Sequence, residues 1–145
     1  MHWKPWTLGL VLLLVGCGDG LVPIKTASLS GTATYNGQPL DEYRVYMYLK
    51  EGHPAQEPST GKVGKEGQFS MGVRKEGDGA IVGLNKVWLI YDPPAPKQEP
   101  GHESSWTPPP AKIKLPKKYM SPETTDLTVE VPDGGVSDYK LEIKE

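Results

Sequence analysis

The sequence predicts an all-β fold: a single antiparallel Greek-key β-sandwich of about seven strands, preceded by a short N-terminal segment outside the domain. Two observations predict it. Short segments with a two-residue apolar/polar alternation recur along the chain, separated by Gly, Asn and Asp turn signals, and long stretches with a 3.6-residue period are absent. At 145 residues and a formal net charge of −2, the chain fits one domain.

The elements follow in order. In Ser28 to Tyr35, Leu29, Gly31, Ala33 and Tyr35 share one face, and Ser28, Ser30, Thr32 and Thr34 the other. Asn36-Gly37 is a hairpin turn signal. In Glu42 to Lys50, Tyr43, Val45, Met47 and Leu49 alternate against Arg44, Tyr46, Tyr48 and Lys50. Ser59 to Val73 reads as two short strands joined through Gly64-Lys65-Glu66-Gly67, with Phe69, Met71 and Val73 facing one way. Lys86 to Tyr91 is apolar on both faces, as a central or doubly covered strand is. Leu127 to Val131 and Asp138 to Lys144 flank Pro132-Asp133-Gly134-Gly135 and are expected to form a hairpin. Ser121-Pro122-Glu123 predicts one helical turn, with Ser as cap and Pro at the first position.

The segment 92–116 holds eight of the fifteen prolines, so it predicts a polyproline-prone insert that pairs in no sheet. It reads either as a spacer or as a recognition segment anchored by Trp106 and Pro108-Pro109-Pro110.

The N-terminal segment has its own logic. One Lys, Lys4, precedes the apolar run Trp6 to Val15, which is too short to span a bilayer and suits a signal-peptide core. Leu14-Val15-Gly16-Cys17 then reads as a lipobox: an aliphatic residue, two residues of small to moderate size, and the single cysteine of the chain. In that chemistry the Cys17 thiol takes a diacylglyceryl group as a thioether, and a peptidase cuts between Gly16 and Cys17. The pattern resembles bacterial lipoprotein signal peptides. It implies a signal peptide over 1–16, a lipidated Cys17 with a tether over 17–27, and a domain over 28–145. The expected location is the cell membrane or outer membrane, with the domain on the exported side. One cysteine in an exported chain also rules out an intramolecular disulfide.

With the strands in place, Ser30 to Gly52, Ser59 to Gly72 and Gly83 to Tyr91 resemble the carboxypeptidase regulatory-like domain, a transthyretin-like sandwich. The shared features are a G-x-V-x-x-x-G-x-P-L opening, a T-x-x-D-G-x-F hairpin and a G-x-Y-x-V-x-V strand. Here Ala33 stands where Val is usual, Glu66-Gly67 replaces Asp-Gly, and Asn85 interrupts the Gly-x-Tyr. Leu115 to Gly135 resembles the tail of short exported lipoproteins built on that domain, of the planctomycete type. The resemblance implies a structural or protein-interaction module and no enzyme activity.

Candidate site residues are few. Tyr46 and Tyr48 on the polar face of their strand, with Trp88 and Trp106 available, offer stacking surfaces for sugar rings; the plainer reading is cross-strand packing, with Trp88 in the core. A carbohydrate-binding module of the envelope is therefore the alternative to a structural or protein-interaction role. Glu76, Asp78 and Asp92 carry oxygen ligands for Ca²⁺, but the D-x-D-x-D-G pattern is missing, and a solvated Gly-rich turn accounts for them. Lys25 and Asp138 are candidates for an isopeptide cross-link only if both are buried beside a Glu. His53 and His102 lie in Pro/Gly-rich stretches with no Ser or Cys motif nearby, so no catalytic residues, metal site or cofactor are expected. The charge balance, with no basic stripe, argues against nucleic acid. The expected partners are membrane lipid through acylated Cys17 and an envelope protein or polysaccharide.

Overall fold

The computed structural model describes residues 24–51, 57–97, 101 and 105–145. Leu14, Val15, Gly16, Cys17, His53 and His102 lie outside the described residues. The chain is an all-β sandwich, with no barrel closure among the described residues. Among them seven strands have three or more residues, and three more have only two.

The first sheet is built around β2 (Leu29–Tyr35). The strand β10 (Val136–Ile143) lies on one side of it, and β3 (Gln38–Pro39) and β6 (Gln68–Ser70) share the other. The second sheet has the order β5 (Ser59–Lys62), β4 (Tyr43–Leu49), β8 (Gly83–Tyr91), β9 (Thr128–Val131). A two-stranded ribbon pairs β1 (Thr26–Ala27) with β7 (Ala80–Ile81).

The alternation read from sequence sorts the faces correctly. Leu29 and Ala33 of the first sheet meet Val45, Met47, Val87 and Leu89 of the second in one buried cluster. Phe69, Leu141, Ile143, Val129 and Val131 complete it. Burying such side chains contributes about 1.5–3 kcal/mol each. The β2–β3 connection is the expected two-residue turn. Asn36 (φ 49°) and Gly37 (φ 81°) are both left-handed, the backbone a type I′ turn demands.

Three expectations change. First, β9 and β10 do not form a hairpin: β9 pairs with β8, while β10 crosses to the other sheet and runs parallel to β2. The Pro132–Gly135 turn, closed by Gly135 N–H to the Pro132 carbonyl (3.0 Å), is an arch over the core rather than a bend within a sheet. The sandwich is thus antiparallel except for this pair. Second, β5 and β6 are joined as expected but splay apart. Gly64 N–H donates to the Gln68 carbonyl (2.9 Å) and Thr60 pairs with Gly72, yet β5 belongs to one sheet and β6 to the other. Third, Lys25, Thr26 and Ala27 belong to the fold and not to a tether: β1 pairs with β7, and Val82 N–H donates to the Lys25 carbonyl (3.0 Å). As expected, the described residues of the proline-rich insert pair in no sheet; the insert connects the neighbouring strands β8 and β9, and both its ends are docked. Asp92 N–H donates to the Glu42 carbonyl (2.7 Å), the Tyr43 hydroxyl donates to the Ile113 carbonyl (2.6 Å), and Leu115 is buried.

Between the insert and β9, a 3₁₀ turn over Lys117–Met120 places Tyr119 in the core. The expected helical turn follows it. The Thr125 N–H donates to the Ser121 carbonyl (3.1 Å), and the Ser121 hydroxyl oxygen accepts from the Glu123 N–H (3.3 Å).

Candidate functional site

The outer face of the second sheet carries the aromatic residues that the sequence singled out. Because Tyr43, Val45 and Met47 point into the core, pleating turns Arg44, Tyr46 and Tyr48 outward. Registry with β8 then sets Tyr46 opposite Trp88 and Tyr48 opposite Lys86. The Tyr46 and Trp88 rings stack at 5.4 Å and 16°, and Tyr48 leans on the same indole at 5.2 Å and 33°. Such aromatic pairs contribute about 0.5–1.5 kcal/mol beyond the area they bury.

Trp88 departs from the core position expected of it. It is buried, at 5% exposure, but it lies on the outer face and stands outside the core cluster. Its two tyrosine neighbours contact it there. The tyrosines themselves remain half-exposed, and Leu84 (41%) and Ile90 (39%) flank them along β8. The face therefore offers a ridge of aromatic and aliphatic surface in which Tyr46 and Tyr48, not Trp88, can meet a ligand.

The other candidates are not brought together. Asp78 turns its carboxylate onto backbone: it accepts from the N–H groups of Val73 (2.6 Å), Arg74 (3.2 Å) and Lys75 (3.2 Å). The Val73 hydrogen bond, with those of Arg74 and Lys75, holds the carboxyl below the ordinary aspartate value. Asp92 is engaged with Arg44 at 2.8 Å on the rim of the aromatic face. Among the described residues, no group of three or more His, Cys, Asp or Glu side chains is placed to hold a metal ion. Lys25 pairs with Asp133 at 2.8 Å rather than with Asp138, and the two are exposed. Trp106 is partly exposed at 37%.

One feature escaped the sequence reading. A cleft of about 630 Å³ opens between the sheets' edges, lined by Asp41, Glu42, Lys62, Lys65, Phe69 and Pro94. Glu42 sits in it with a left-handed backbone (φ 65°), and its carboxylate accepts from the Tyr91 hydroxyl (3.1 Å). The only signal was Asp41-Glu42 between two strands, which reads equally well as an ordinary polar turn. On the inner face, Asn85 is fully buried. Its amide nitrogen donates to the Ile81 and Gly83 carbonyls (2.9 Å each), while its Oδ1 has no partner.

No known family model matches the chain, and neither a curated protein nor a solved structure matches it. Among the described residues, no helix is long and apolar enough to cross a membrane.

Proposed function

We propose that this chain is a lipid-anchored protein of the bacterial cell envelope, whose β-sandwich acts on the exported side as a non-catalytic structural or protein-interaction module. The observation that carries this reading is the register of three features in the first 17 residues: Lys4, the apolar run Trp6 to Val15, and Leu14-Val15-Gly16 directly before the single cysteine. A diacylglyceryl thioether on Cys17 supplies two acyl chains, which is the number that makes membrane attachment stable. The fold adds a length. With Lys25 already hydrogen-bonded to Val82, at most Gly18 to Ile24 joins anchor to domain. Seven residues reach no more than ~25 Å in any conformation, so the sandwich works close to the bilayer surface.

The likeness to the carboxypeptidase regulatory-like domain is part of the same proposal. It is supported by the duties of the shared residues: Gly31 lies under the neighbouring strand, Asn36-Gly37 makes the turn, and Leu40 and Phe69 are buried. The test is fractionation of cells that express the chain. The native protein stays in carbonate-washed membranes, and Cys17→Ser blocks acylation and abolishes cleavage before residue 17. Equal behaviour of the two forms contradicts the proposal.

A second reading, carbohydrate binding, is favoured by the half-exposed Tyr46 and Tyr48 beside Trp88. Under it, Tyr46→Ala and Tyr48→Ala each abolish retardation in polysaccharide-containing gels without unfolding the domain. Wild-type protein that no polysaccharide retards removes this reading.

A further inference from the structure

We propose that β10 is a self-recognition edge, through which two copies of this chain pair antiparallel about Leu141. Among the described residues, β10 pairs only with β2, so one side of an eight-residue strand is open. The direction of its open groups can be read from its closed ones. Asn36 N–H donates to the Ile143 carbonyl (2.9 Å), and the Tyr139 carbonyl points at Gly31. From Tyr139 onward, past the register shift that follows Val136, the odd-numbered residues therefore address β2, and the backbone N–H and C=O groups of Lys140 and Glu142 address the free edge.

Charge on an edge strand usually discourages pairing, but here the signs alternate. Asp138, Lys140, Glu142 and Lys144 are all exposed, in the order −, +, −, +. In an antiparallel pair centred on Leu141, Lys140 faces Glu142 of the second copy and Asp138 faces its Lys144. Lys140 and Glu142 are the residues whose backbone groups point outward, so charge pairing and hydrogen bonding fall in one register. Sliding by two residues sets Lys140 against Lys140, or Glu142 against Glu142, and like charges directly opposite are destabilising.

The inner face agrees with this register. It brings Tyr139, half-buried in the single chain, opposite Ile143 of the other copy. Beside Ile143 runs a groove of about 440 Å³, lined also by Tyr119, Leu127, Asp126, Glu142 and Lys144. An aromatic side chain seated in such a groove is the usual centre of a specific interface. The occupant of the edge is thus a second copy of this chain, and the inference goes beyond anchoring without depending on it.

The test uses the native full-length protein extracted in detergent, with mass measured by sedimentation equilibrium at ~100 µM, a concentration that populates even a micromolar dimer. Wild type is a dimer. Lys140→Glu alone and Glu142→Lys alone each weaken dimerisation roughly tenfold or more, because each sets like charges opposite one another twice across the two-fold. The double variant Lys140→Glu/Glu142→Lys regains the wild-type affinity. Both residues are exposed, and matching circular dichroism shows that each variant is folded. Amide exchange at Lys140 and Glu142 slows with rising protein concentration. A monomeric wild type, a dimer indifferent to either single inversion, or a double variant as weak as the singles each overturn the proposal. So does capture of an unrelated extended peptide by a wild type that stays monomeric.

Discussion

A Cβ built at Gly31 would lie 1.8 Å from the Tyr139 carbonyl oxygen. The register shift between Val136 and Tyr139 pushes β10 over β2 at that point, so only hydrogen fits. Gly31→Ala is expected to lower the unfolding free energy by about 1–3 kcal/mol, as overpacking does; an unchanged urea midpoint contradicts the packing described. The sequence showed Gly31 on the core face of a strand but not the strand that overlies it, because the partner lies more than a hundred residues away. Asp78 was legible only as an acidic residue in a Gly-rich turn. Its real duty, gathering three amides of its own loop, depends on backbone geometry that residue types do not specify. That duty has a pH signature. Since the folded carboxyl titrates below the ordinary value of 3.8, its contribution is complete above that value and is lost as pH falls through the folded one. The Val73 amide is therefore expected to lose exchange protection only below the usual aspartate range, and Asp78→Asn to remove the acid dependence. Loss of protection at or above pH ~4 contradicts the assignment.

Among the elements, β8 is the most legible. Its doubly apolar pattern predicted a central strand, and it does lie between β4 and β9. The same pattern hid which face held Trp88. A strand apolar on both sides gives no alternation to orient it, and only the registry with Tyr46 resolves the question. The energetic consequence is specific. Trp88→Ala removes a buried indole and is expected to cost about 3–5 kcal/mol. Tyr46→Ala and Tyr48→Ala each remove one stacking partner and are expected to cost about 0.5–1.5 kcal/mol. Chemical denaturation measures the three, and a tyrosine variant less stable than Trp88→Ala would contradict the geometry of the face. The arch from β9 to β10 is hidden from a sequence pattern for a physical reason as well. Alternation reports which side of a strand is buried, and a Pro-Asp-Gly-Gly linker is compatible with a bend inside one sheet or a crossing between two. The strands were legible one by one; their pairing depends on closing the sandwich.

For the whole molecule, the layered architecture was legible because two apolar strand faces must cover each other, and the alternation supplies both of them. The aromatic outer face was half legible: Tyr46 and Tyr48 stand out on their strand and Trp88 reads as buried, but its place between them on the outer face does not show. The charged cleft at Glu42 was not legible at all, since its walls come from four separate stretches of chain. The proposed anchor lies at the opposite extreme. Its chemistry is written in contiguous residues and calls for no fold. Under the proposal the two parts are separable: Cys17 would carry the attachment, and the sandwich from Lys25 onward packs through its own core. The most direct measurement of the proposed anchor is mass spectrometry of the protein purified from its native membranes. The mature chain is expected to begin at Cys17 and to carry a diacylglyceryl thioether there. A mature N-terminus downstream of residue 17, or an unmodified Cys17 thiol, would contradict it.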